Sequence, residues 1–294
     1  MFAARSWSQA ALPLLLLAGC ATPPPPAPLV SPGSPAAQDP HAHDRQRLWR
    51  LLDTQCLPAA RAGRDPAPCS EVHPQRGQRY ALMKDLRGAS QYLLIPTVPV
   101  SGIEDPRARA ATAPNWLALA WQARSWVERA LRRPLPRTYA SLAINAPVAR
   151  SQDQLHVHID CLDPQVRAQL DTLQARIGPD WAPLPQRLHG HVYRAMRLDG
   201  ADLDARPLAL LAGSLPTPQA MARQTLAVVG ARFGDGRPGF LLLAGEADQG
   251  DGGGGAEELQ DHGCTALAPR AGAEMGPTRP APDPDPGSAA TAGR

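Results

Sequence analysis

Two rhythms alternate along the middle of the chain. One is an apolar–polar alternation of period two. The other is apolar residues recurring every third or fourth place. Residues 45–56, RQRLWRLLDTQC, have the second rhythm and predict a first helix. RYALMK (79–84) and QYLLIP (91–96) read as strands either side of the turn DLRGAS. In PNWLALAWQARSWVERALRR, Trp116, Ala120, Ala123, Val127 and Leu131 fall on one stripe, and Pro134 ends the helix. TYASLAIN (138–145) and QLHVHIDCL (154–162) read as strands. Asp163 then caps a helix with Pro164 in its first position, and Val166, Leu170, Leu173 and Ile177 form its buried face. Further strands are predicted around HGHVYRAMRL, QTLAVVGARF and GFLLLAG. Strands with hairpin-like neighbours, interrupted by helices, predict a single α+β domain on an antiparallel sheet over residues 45–266.

Composition changes the picture at the ends. Of 34 prolines in 294 residues, many crowd into TPPPPAPLVSPGSP and PTRPAPDPDPGS. Such segments bury no core, so 21–44 reads as a tether and 267–294 as a disordered tail. A net charge of +3, with no basic run, gives no nucleic-acid footprint. Before the tether, Arg5 precedes a short apolar run that ends Leu17-Ala18-Gly19-Cys20. That run has signal-peptide length, and its ending resembles the lipobox of bacterial lipoproteins. The resemblance implies removal of residues 1–20 as a signal, acylation of Cys20 and anchorage in a lipid bilayer on the periplasmic side. Ala21 rather than Asp follows Cys20, so inner-membrane retention is not signalled. Four cysteines remain: Cys56, Cys69, Cys161 and Cys264. An even number in an exported chain suggests two disulfides among three possible pairings. The local spacing of the first two favours Cys56–Cys69 with Cys161–Cys264.

The chemistry concentrates in one strand. Side chains alternate along a strand, so Gln154, His156, His158 and Asp160 share one face, while Leu155, Val157 and Ile159 face the core. An imidazole held by a neighbouring acceptor can attack phosphorus. Alternatively, the two His-x-His pairs, His156/His158 and His189/His191, could ligate a metal for a metal-dependent phosphohydrolase.

NAPVARSQDQLHVHID resembles the histidine-triad signature Asn-x-Gly-x-x-Ala-Gly-Gln-Ser-Val-x-His-x-His-x-His. Asn145, Gln152, His156 and His158 keep its spacing, while Pro147, Asp153 and Asp160 replace its glycine, serine and last histidine. Asp85, after the first strand, matches an Asp that holds ribose in that superfamily. A narrower set occurs in order over roughly residues 45–266: KDLRGASQYLLIPT, SGIED, PNWLALAWQAR, SLAIN, RSQDQLHVHIDCL, GHVY and EELQDHGC. Together these resemble the CDP-diacylglycerol diphosphatase family. The resemblance implies hydrolysis of membrane-borne CDP-diacylglycerol to CMP and phosphatidate. In it, His158 is the nucleophile, His156 a donor to the phosphate or guide of the leaving group, and His191 with Tyr193 a second site for acid catalysis on the leaving phosphate or for binding it. Asn145 and Gln152 would donate to the phosphate, Asp160 and Gln154 would share the polar face of the histidine strand, and Lys84 (the chain's sole lysine), Asp85 and Arg150 would bind substrate. A side-chain nucleophile needs no metal and no organic cofactor. Asp160 and Pro147 keep a further alternative in play, a lipoprotein that binds nucleotide or lipid without catalysis.

Overall fold

The computed structural model describes residues 44–75, 77–247 and 254–268. Cys20, the expected signal, nearly all of the tether and the tail from residue 269 onward lie outside them. The chain enters through α1 (Arg47–Leu51), which continues through a π-helical turn into α2 (Leu57–Arg61). Strands β1 (Cys69–His73), β2 (Tyr80–Lys84) and β3 (Tyr92–Pro96) follow. Next come α3 (Pro106–Arg109), α4 (Trp116–Ala123), α5 (Ser125–Leu131), β4 (Ala140–Ile144) and β5 (Val157–Leu162). After α6 (Pro164–Leu173) the chain forms β6 (Ala182–Pro183), β7 (Tyr193–Asp199) and α7 (Pro207–Gly213). It closes with β8 (Gln224–Arg232), β9 (Pro238–Glu246) and β10 (Gln260–Asp261).

The ten strands among the described residues join one sheet in the order β1-β2-β3-β5-β4-β8-β9-β7-β6, with β10 on the end of β5. Every pairing is antiparallel. The α+β class and the antiparallel sheet are therefore as expected. Asp163 caps α6 as its sequence predicts, accepting from the amides of Gln165 and Val166. The long stripe over 114–133 instead forms two helices. The Arg124 guanidinium bonds the Trp121 carbonyl, the acceptor that an unbroken helix would offer to Ser125. β1 was not predicted because CSEVH lacks apolar alternation; it is tied to the first helix by the Cys56–Cys69 disulfide. The second disulfide is Cys161–Cys264.

The two faces of the sheet differ in a way that creates the site. One face is a continuous core in which Leu82, Leu94, Leu142, Val157, Ile159 and Val228 pack with Trp116, Leu117, Ala120 and Trp121 of α4. The other face carries two separate apolar clusters. Leu48, Leu52 and Leu57 cover Ala81, Met83, Leu93 and Ile95 at one end. Val166, Leu170 and Leu173 of α6 cover Ala143, Ala227 and Val229 at the other. His158 sits on the line between them, paired across the sheet with Leu93 on one side and Ala143 on the other. No helix among the described residues is long and apolar enough to cross a membrane.

Candidate active site

The polar face of β5 is not open to water. His156, His158 and Asp160 are all buried, with Asp160 at 0% exposure. The cover is the segment 254–264, which returns from the far side of the sheet, adds β10 to β5 and is fastened by Cys161–Cys264. It brings Glu257, Gln260 and His262 onto the face that carries the histidines.

His158 Nδ1 looks into an anionic pocket. Glu257 Oε1 lies 3.4 Å from it and Asp85 Oδ2 3.6 Å. Gln91 Nε2 is 3.1 Å from the same nitrogen and its buried Oε1 has no partner among the described residues; with the amide turned over, Oε1 accepts from Nδ1–H and is itself satisfied. Two carboxylates favour a proton on Nδ1, which leaves the lone pair on Nε2. Nε2 is buried and has no hydrogen-bond partner among the described residues. Burial, the largest single influence, pushes Asp85 and Glu257 upward, but His158 together with the Arg87 amide and His156 at Asp85, and with the Arg87 guanidinium and His262 at Glu257, outweighs it, and both carboxyls end below their ordinary range.

The His156 ring stands edge-on to His158, with centroids 4.8 Å apart. Its Nδ1 bonds the Gln154 carbonyl at 2.7 Å, so the proton of the neutral ring is on Nδ1 and Nε2 is an acceptor. Burial, with the nearby His158, lowers its pKa to about 4. In this tautomer the free nitrogen, Nε2, is an acceptor, whereas the sequence reading has His156 donating to the phosphate or guiding the leaving group.

Asp160, at the position of the signature's last histidine, accepts from the Cys161 amide and meets His262 Nδ1 at 2.8 Å. Burial pushes Asp160 up, with His262 pulling part of the way back; Asp160 in turn raises His262. The other side of His262 faces Glu257, with Nε2 3.6 Å from Oε1.

Other expected site residues are held by structural partners. Asn145 is bonded to Glu257 rather than presented to open space. Gln152 accepts from the Leu48 amide and donates to the Asp44 carbonyl, which ties it to the start of α1. Gln154 is buried and spans the Pro96 and Val98 carbonyls and the Val100 amide. Arg150 pairs bidentately with Glu104 and also reaches Asp153. Lys84 donates to the carbonyls of Asp85 and Gly88 and so shapes the turn that carries Asp85. His191 and Tyr193 form a second group: His191 Nε2 is 3.4 Å from Glu258 Oε2, and the Tyr193 hydroxyl is buried without a partner among the described residues.

The two His-x-His pairs do not converge. His189 goes to Asp163 and His191 to Glu258, while His156 and His158 have the partners given above. Among the described residues, two trios have donor atoms within 4.8 Å of one another. Asp160–Cys161–Cys264 is closed to a metal because both sulfurs are in the disulfide. Asp85–His158–Glu257 has a geometry that a shared proton on Nδ1 already accounts for, although a divalent ion could also fit three such donors. Sequence reasoning passed over Gln91, Glu257, Gln260 and His262. They have no periodicity to mark them, and their only signal was the order of motifs that included EELQDHGC.

Fold and site together define a single antiparallel α+β domain with a histidine–carboxylate centre set between two apolar clusters. The chain belongs to the CDP-diacylglycerol pyrophosphatase family, whose sequence profile matches residues 43–268. It is 44% identical over 227 residues to a CDP-diacylglycerol pyrophosphatase of Yersinia pestis, a match that covers 75% of this chain and 84% of that protein.

Proposed function

We propose that this chain hydrolyses the pyrophosphate bond of CDP-diacylglycerol through a cytidylyl-histidine intermediate on His158, in the manner of the histidine-triad proteins its signature resembles. The observation that carries the reading is the environment of the His158 ring. Nδ1 faces two carboxylates, and the opposite nitrogen is buried and unpaired among the described residues. Attack by Nε2 on the cytidine-side phosphorus forms a P–N bond, breaks the P–O bond to the bridging oxygen and releases phosphatidate. The ring becomes an imidazolium as that bond forms. Glu257 and Asp85 stabilise the new charge at the nitrogen where the proton remains. Water then attacks the same phosphorus, a neutral His156 accepts its proton, and CMP leaves with His158 restored. His191, which pairs with Glu258, and Tyr193 would serve the phosphatidate side. Acylation of Cys20 would keep the domain at a bilayer in which the substrate resides.

The test is to incubate the purified, chelator-treated chain with CDP-diacylglycerol and assay CMP and phosphatidate, beside His158→Ala. Turnover that survives the chelator and vanishes in the variant is the expected result, with cytidine label trapped on the wild-type protein after an alkaline denaturing quench and lost again in acid, as a P–N bond requires. Turnover that returns only with a divalent ion would make Asp85, His158 and Glu257 a metal site and remove the covalent step.

A further inference from the structure

His262 has no place in the reaction so far, yet its position is unusually determined. It is delivered by β10, a strand of two residues, and held there by the Cys161–Cys264 disulfide two residues on. One ring nitrogen meets Asp160 at 2.8 Å, and the other faces Glu257 Oε1 at 3.6 Å. That same oxygen lies 3.4 Å from His158 Nδ1. Four side chains therefore run in series, Asp160–His262–Glu257–His158, from a carboxylate sealed in the sheet to the proposed nucleophile. Burying a carboxylate without a counter-charge is costly. His262 is the partner of Asp160 among the described residues that can carry a positive charge, since its remaining contacts are the Cys161 amide, the Ser90 hydroxyl and Cys264 Sγ. Glu257 is anchored at its other oxygen by Asn145. Its Oε1 then lies between two histidines, His158 and His262, with the Gln91 carboxamide at 3.5 Å and the exposed Arg87 guanidinium at 3.8 Å beside them.

We propose that His262 is a positioning residue for the nucleophile: clamped by Asp160, it holds Glu257 in line as the acceptor of the His158 Nδ1 proton. This rests on His158 being the nucleophile. His262 contacts neither reacting nitrogen, so its loss affects how well His158 is aimed and not how substrate binds. A misplaced catalytic group costs roughly a hundredfold in rate.

The experiment compares the full chain with His262→Ala and His262→Gln on CDP-diacylglycerol. Thermal unfolding and disulfide content are measured on each. Wild-type turnover and its loss in His158→Ala are established first, so a failure there overturns the function reading and is seen separately. The expected result is a folded His262→Ala with kcat reduced about ten- to a hundredfold, KM unchanged, and part of the rate restored by imidazole in solution. His262→Gln keeps a hydrogen-bond donor toward Asp160 and should retain more activity than the alanine variant. The proposal is overturned if both variants turn over at the wild-type rate. It is equally overturned if the loss follows the drop in melting temperature and imidazole restores nothing.

Discussion

Asn145 and Glu257 grip each other twice. Asn145 Nδ2 donates to Glu257 Oε2 at 3.1 Å, and the Glu257 amide donates to Asn145 Oδ1 at 3.1 Å. The pair ties the end of β4 to the returning segment, so the side chain that faces His158 is fixed from 112 residues away. Asn145→Ala should therefore behave as a loosened Glu257, with kcat down roughly tenfold or more and KM little changed. Asn145→Asp should be worse, because it sets a second carboxylate against Glu257. Steady-state kinetics on CDP-diacylglycerol check this. A rise in KM with kcat intact would instead make Asn145 a direct phosphate ligand.

Arg150 invites reading as a phosphate clamp, but its guanidinium is spent inside the fold. Its side chain is 4% exposed and lies between Glu104 and Asp153. The bidentate contact holds the Glu104 carboxyl below its ordinary range although burial pushes the other way. Arg150→Ala should lower stability by about 2 kcal/mol or more. A fully buried broken pair costs roughly 3–5 kcal/mol, and Glu104 keeps some access to water. Urea unfolding at neutral pH measures it. A variant of wild-type stability with a raised KM would return Arg150 to the substrate.

What the sequence disclosed and what it hid divide along physical lines. Val157 and Ile159 alternate with His158, and that period-two rhythm correctly places the histidines on the face opposite the main core. The rhythm says nothing about what covers that face. A solvated strand and one roofed by a distant segment have the same local pattern, so the burial of His156 and Asp160 was not legible. Glu257 and His262 reach β5 through a two-residue strand and a disulfide, a long-range contact that leaves no periodic trace. Asn145 and Gln152 keep signature spacing, but only the packed structure shows that Glu257 and α1 take up their amides.

The two disulfides should fail differently. Cys56–Cys69 closes a separation of 13 residues and ties the first helix to β1; Cys161–Cys264 closes 103 and fastens the roof of the site. Chain-entropy reasoning assigns about 3 kcal/mol to the first and nearer 5 kcal/mol to the second. Activity should separate them further. At a temperature where both variants are folded, Cys56→Ser/Cys69→Ser should keep its kcat. Cys161→Ser/Cys264→Ser should lose most of its own, because Glu257 and His262 are no longer held on β5. Equal kcat values for the two double variants would show that β10 and the Asn145 contacts hold the roof without the disulfide.

His156 makes the fold sensitive to acid. Burial, together with the neighbouring His158, lowers its pKa to about 4, against 6.5 for the free side chain. Between those values the unfolded chain takes up a proton that the native ring refuses, so stability must rise with pH across that window and level off above it. Below pH 4 the full contribution is lost, on the order of 3 kcal/mol. Depressed carboxyls such as Asp85 and Glu257 add losses at lower pH, beginning below their unfolded values. His262, raised by Asp160, works in the opposite sense: its stabilisation is complete below its unfolded value and fades as pH climbs through the higher folded one. The His156 share is isolated by subtracting the urea-unfolding free energies of His156→Gln from those of the wild type at each pH between 4 and 7. A difference that grows with pH up to about 6.5 and is then constant is the expected outcome. A flat difference would mean that His156 takes up its proton in the folded protein at the same pH as in the unfolded one, so that burial does not hold the ring neutral below pH 6.5.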